Sequence, residues 1–142
     1  MRVVGGIGVG LNFGPEIETY EGVKNLSRHY SEAAVVVCPI EVGSGVKIKL
    51  LEAIRYGKAV VATASAAEGL PVQSDPAWLT VESFSECAEA VATLLEDRCL
   101  RARLEQAAFS YGDRYLSPKS AASVFGSILP GQLSRYLASF GS

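Results

Sequence analysis

Histidine occurs once in this 142-residue chain, as His29, and cysteine only three times, as Cys38, Cys87 and Cys99. An odd, unclustered set of thiols with one imidazole assembles no metal-ligand spacing, so zinc-type sites are excluded. An excess of positive charge is also lacking: 13 basic against 15 acidic residues leave a net charge of −2, unlike a protein whose main business is nucleic acid. Long apolar runs are absent too. The stretch from Ala33 to Ile40 is about half of what a bilayer-spanning helix requires. The amino terminus lacks the basic, apolar and small-residue succession of a signal peptide. These absences point to a reduced, cytoplasmic protein, with Cys38 as a core thiol. Internal repeats and low-complexity segments are missing as well.

What is present is an ordinary globular composition, 49% hydrophobic and 20% charged, enough for one domain with a real core. Arg2-Val3-Val4 is a strand candidate, followed by a glycine-rich loop over Gly5–Gly14 and a short strand within Pro15–Tyr20. Asn25–Ser31 has the spacing of a short helix. Ala33–Cys38 is a continuous apolar run ended by Pro39, which fits a strand buried on both faces of a parallel sheet. A helix is expected over Val46–Tyr56, then strands at Ala59–Thr63 and Trp78–Val81 separated by a loop over Ala64–Pro76. Helices are expected over Glu82–Leu95, Asp97–Ser110, Ser117–Ile128 and Gln132–Phe140. Alternating strands and helices predict an α/β fold, a Rossmann-like doubly wound parallel sheet flanked by helices. The domain is expected to span residues 1–116, with 117–142 a helical tail packing on it or on another domain.

Two glycine-rich segments invite a ligand. Gly5-Gly6-Ile7-Gly8-Val9-Gly10 does not fit the dinucleotide fingerprint in any register, and Gly14-Pro15 follow where a helix should open. It reads as a turned loop after a strand. Gly43-Ser44-Gly45-Val46-Lys47-Ile48-Lys49-Leu50-Leu51-Glu52 fares better. No acidic residue occurs between Val42 and Leu51, and two lysines stand in the first turn, where the helix dipole disfavours cations. Ser44 or Gly45 is the expected N-cap, leaving the amides of Val46, Lys47 and Ile48 to donate. A basic helix start behind two glycines suits an anion, here a diphosphate. Glu52, one turn beyond Lys49, is placed to accept the hydroxyl protons of a ribose. The residues leave another reading open, in which Lys47 is solvated and Lys49 pairs with Glu52 as an ordinary surface contact. His29, beside Arg28 and Tyr30, reads as structural or solvated.

The succession Tyr30, Ala33-Ala34-Val35-Val36-Val37, Pro39, the segment Gly43 to Ala53, Gly57-Lys58-Ala59-Val60-Val61-Ala62-Thr63 and Glu68-Gly69-Leu70 resembles the donor half of a group 1 glycosyltransferase. These are retaining enzymes built from two Rossmann-like domains, the GT-B architecture. The resemblance implies a nucleotide-sugar site in the interdomain cleft, with a UDP-, GDP- or ADP-sugar as substrate, no cofactor and no metal. Glu52 matches the second of the family's two signature glutamates, the one that holds the ribose. Ser44 occupies the position of the first, which usually touches the sugar, so this chain departs from the pattern there. Lys47 and Lys49, with Gly43, Gly45, Val46 and Ile48 beside them, are the implied diphosphate contacts, and Glu68, Gly69 and Leu70 a neighbouring loop. No Asp-x-Asp occurs, so the lysines are expected to stabilise the leaving diphosphate where that motif's metal would. The resemblance further implies that the amino-terminal acceptor domain, and the donor domain's own first strand and helix, are missing here. A donor domain inactive alone is the expectation. The alternative is a non-catalytic Rossmann-like interaction module, self-associating as a homodimer over an exposed sheet edge.

Overall fold

The computed structural model describes residues 1–4, 14–40, 47–71, 73–118 and 120. The chain divides into two compact units, Met1–Glu32 and Ala33–Ser142.

In the first unit, β1 (Arg2–Val4) pairs in parallel with β2 (Glu18–Tyr20), in the register Arg2 with Glu18 and Val4 with Tyr20. β2 is shorter than the expected Pro15–Tyr20, because Gly14–Ile17 form a turn closed by the Ile17 N–H on the Gly14 carbonyl at 3.3 Å, with Gly14 at φ +84°. Helix α1 (Ser27–Glu32) starts where the Asn25 Oδ1 accepts from the Ser27 N–H at 2.9 Å, the Asx pattern that opens helices. Arg2 donates to both Glu18 and Glu32, Arg28 donates to Glu32 at 2.8 Å, and the Tyr20 hydroxyl donates to Glu18 at 2.8 Å. His29 packs edge-on to the Tyr20 ring at 4.7 Å, a structural placement.

The second unit carries a three-stranded parallel sheet in the order β3 (Val35–Cys38), β4 (Ala59–Thr63), β5 (Leu79–Val81). β4 is central and all five of its residues are buried. Its β-branched, uncharged sequence is what a strand covered on both sides requires. Ala59 and Val61 share a core with Val81, with Cys87, Ala90 and Leu94 of α3 (Phe84–Glu96), and with Leu104 of α4 (Arg98–Leu116). Val60 and Ala62 alternate to the opposite face. Helix α2 (Ile48–Arg55) packs on β3, β4 and α4 and buries Leu50, Ala53 and Ile54. Parallel sheets flanked by helices are thus the α/β architecture expected.

Each helix end has a chemical cause. α2 closes in a Schellman arrangement: the Lys58 N–H reaches the Ala53 carbonyl at 3.1 Å, the Gly57 N–H reaches Ile54 at 2.9 Å, and Gly57 takes φ +61°. Asp97 ends α3 and caps α4, accepting from the Leu100 N–H at 2.9 Å. α4 runs six residues past the expected Ser110, because no helix breaker intervenes before Pro118. Gly112 is tolerated inside it where α4 approaches the backbone of Ile54 and Arg55. The helix expected over Gln132–Phe140, nearly all of the one expected over Ser117–Ile128 and of the 117–142 tail, and all but Gly14 of the glycine-rich loop over Gly5–Gly14 lie outside the described residues.

Candidate functional site

β3, β4 and β5 run in parallel, so Cys38, Thr63 and Val81 mark one carboxyl edge of the sheet, the edge at which open α/β sheets bind ligands. The segment leaving β3 leads to α2, and the segment leaving the neighbouring β4 leads through a 3-10 turn (Ala64–Ala66) to Glu68.

The start of α2 differs from expectation. Its N-cap is Lys47, in an extended conformation (φ −85°, ψ 91°), rather than Ser44 or Gly45. A lysine side chain has no acceptor with which to cap, and none is supplied there. The first helical bond runs from the Leu50 N–H to the Lys47 carbonyl at 3.0 Å, so the N–H groups of Ile48 and Lys49 stand ahead of it. The first turn contains no acid. Donors and ammonium groups therefore share one helix end, shifted toward Lys49 from the expected set at Val46–Ile48. Gly43, Ser44, Gly45 and Val46 lie outside the described residues.

Lys49 Nζ donates to Glu52 Oε2 at 3.1 Å, an ion pair between side chains 59% and 37% exposed. The ordinary surface contact left open by the sequence is therefore formed. Lys49 also lies within electrostatic reach of Cys38, at the end of β3. Burial pushes that thiol up to about 11, and the lysine charge opposes the shift. After β4, the Leu70 N–H closes a turn on the Ala67 carbonyl at 3.1 Å, with Gly69 at φ +81°, a conformation glycine adopts without strain. Glu68 and Gly69 are exposed at its tip and Leu70 is half-buried. The structure thus gathers Lys47, Ile48, Lys49 and Glu52 on α2, and Glu68, Gly69 and Leu70 on one turn, each following a neighbouring strand.

Thr63 is the residue that sequence reasoning passed over. It is 3% exposed, its hydroxyl donates to the Ile40 carbonyl, and its oxygen accepts from the Ala66 N–H at 3.3 Å. Both partners are backbone groups, and no side-chain motif announces them.

A cavity of about 260 Å³ borders the segment after β4, lined by Ala64, Ala67, Gln73, Trp78, Thr80 and Tyr111 among others. Among the described residues no charged side chain borders it, so it lacks the cationic groups of the α2 end. Among the described residues no group of three or more His, Cys, Asp or Glu could hold a metal ion, and no helix is long and apolar enough to cross a membrane.

A family model, Glycosyl transferases group 1, matches residues 7–97, well over half of the chain. No curated protein matches the sequence. Among solved structures, the fold is similar to the 1.35 Å crystal structure of the C-terminal domain of a glycosyl transferase group 1 family protein, LpcC, from Francisella tularensis. The TM-score is 0.62 and the identity 22%, over 71% of this chain and 54% of that one. This chain therefore spans about half the length of that domain. From the family match and the parallel α/β fold together, the chain belongs to the group 1 glycosyltransferases, with the fold of a GT-B carboxyl-terminal domain.

Proposed function

We propose that this chain holds the nucleotide-sugar donor of a retaining glycosyltransferase, with the diphosphate at the amino-terminal end of α2. The observation that carries this reading is the acid-free, basic start of α2 at the carboxyl edge of a parallel sheet, in a chain of this family. The N–H groups of Ile48 and Lys49 and the ammonium groups of Lys47 and Lys49 offer an anion both fixed dipoles and mobile charge. As the donor enters, Lys49 exchanges Glu52 for phosphate oxygen. The released carboxylate then accepts the hydroxyl protons of the ribose. When the glycosyl bond breaks, negative charge builds on the departing nucleoside diphosphate, and the two lysines stabilise it most at that moment. Glu68–Leu70 form the opposite rim. In this role the chain supplies the donor half of the reaction in the cytoplasm, and transfer to an acceptor needs the other half of the architecture.

Titrating the protein with UDP, GDP and ADP while following amide shifts tests this. Shifts centred on Lys47–Glu52, weakened by Lys49→Ala and by Glu52→Ala, support the site and name the base. A folded protein unresponsive to all three nucleotides would refute it. A non-catalytic self-association module is favoured by one observation, the 68% exposure of Ile48 beside an ion pair already satisfied within the helix. A concentration-independent monomer in light scattering removes that reading.

A further inference from the structure

The backbone ladder between β3 and β4 ends at the pair Cys38–Ala62. One residue further on, the Thr63 hydroxyl continues the connection by donating to the Ile40 carbonyl, at the exit of β3. The same oxygen accepts from the Ala66 N–H, and the Thr63 carbonyl accepts from the Ala67 N–H at 3.2 Å. The Ala67 carbonyl in turn accepts from the Leu70 N–H that closes the Glu68–Gly69 turn. The hydroxyl therefore ties the exit of β3 to the 3-10 turn after β4, and backbone bonds carry on from that turn to Leu70. With donor and acceptor both used in a buried setting, it has one favourable orientation and little freedom.

We infer that Thr63 is a positioning residue for the donor site, a strut that sets the exit of β3, from which the chain proceeds to α2, against the turn carrying Glu68. The inference rests on the donor-binding reading, which places that site on α2 and this turn. The strut depends on the hydroxyl, since valine has threonine's shape but would leave the part-buried Ile40 carbonyl and the buried Ala66 N–H without it. Serine keeps both bonds.

Wild type, Thr63→Val and Thr63→Ser are compared by amide hydrogen exchange and by titration with UDP, GDP and ADP. Thr63→Val should speed exchange at Ala66 and Leu70 and move the Ile40 amide shift. It should also weaken the nucleotide that binds by roughly tenfold, in the range of mutations acting through a neighbouring element. Thr63→Ser should restore both. A folded Thr63→Val protein with wild-type exchange and affinity overturns the strut. Should the wild type bind no nucleotide, the donor reading fails, whereas exchange at Ala66 and Leu70 still decides whether the strut exists. If Thr63→Val does not fold, Thr63→Ser decides: retained protection at Ala66 supports the hydroxyl's role, and lost protection overturns it.

Discussion

Lys49 and Glu52, expected to hold the diphosphate and the ribose of a nucleotide, hold each other at 3.1 Å across one turn of α2. With both side chains more than a third exposed, such a pair is worth about 0–1 kcal/mol, because water already solvates each charge well. In the donor-binding reading, a diphosphate would therefore displace the carboxylate at small cost. The pair keeps the lysine folded over the first turn without locking it there.

Lys49→Ala and Glu52→Ala should each leave the thermal midpoint nearly unchanged, since the ion pair they break is exposed. Each should weaken the bound nucleoside diphosphate by about tenfold, as expected for one charge-assisted hydrogen bond. The double variant should lose less than the sum, because removing either residue also releases the other from their mutual contact. Calorimetric titration of the four proteins measures this. A large drop in midpoint for either single variant would assign the pair a structural role instead.

How much was legible in the sequence follows from which interactions were local. β4 was readable because Ala59-Val60-Val61-Ala62-Thr63 is an uncharged β-branched run bounded by Gly57 and a loop. The end of α2 was equally plain, since Gly57 supplies the positive φ its closing turn needs. Its start was misplaced because Ser44 has the chemistry of a cap, whereas the residue that caps, Lys47, does so through backbone conformation alone. α4 was cut short because Ser110 and Gly112 weaken helix propensity locally. What overrides them is packing of Ala107, Ala108 and Tyr111, a tertiary effect. Thr63 was invisible as a strut because its partner at Ile40 lies 23 residues away and offers only a carbonyl.

Glu32 gives the first unit a pH signature. Arg28, and then Arg2, hold its carboxyl at about 2, below the usual 4.5. A depressed carboxylate stabilises the fold while ionised, so this contribution is complete above about 4.5 and is lost as pH falls toward 2. The urea midpoint of wild type should exceed that of Glu32→Gln by a constant amount from neutrality to mild acid. That difference should vanish between those two values. A gap independent of pH would show that the side chain acts by packing rather than by charge.

The three thiols should separate by reactivity. Cys38 and Cys87 are buried and Cys99 is exposed. Burial raises Cys38 to about 11, so at mildly alkaline pH its reactive thiolate is scarce as well as hidden. A thiol-specific disulfide reagent should titrate one group in the folded protein and three in denaturant. Rapid labelling of Cys38 in the folded protein would mean that the end of β3 opens readily.

Two glycines should respond oppositely to alanine. At Gly57, φ +61° strains any side chain, so Gly57→Ala should cost about 1 kcal/mol. At Gly112 the new methyl would meet the Ile54 carbonyl at 3.6 Å and the Arg55 Cα at 3.7 Å, ordinary contact distances. Gly112→Ala should therefore stabilise α4 by about 0.5–1 kcal/mol. Chemical denaturation measures both, and a destabilised Gly112→Ala would show that α2 and α4 pack with no slack.

Tyr111 is 1% exposed, and its hydroxyl has no hydrogen-bond partner among the described residues. Its ring does the packing, edge-on to Trp78 at 5.4 Å and tilted against Tyr115 at 4.7 Å. Burial raises the phenol's pKa, the same desolvation that makes an unpaired hydroxyl costly. Tyr111→Phe keeps every ring contact and removes that cost, so stability should hold or rise, by up to about 1 kcal/mol. A loss of comparable size would show that the hydroxyl is bonded in solution, to water or to the Gln73 side chain, which borders the same cavity and whose Nε2 also lacks a described partner.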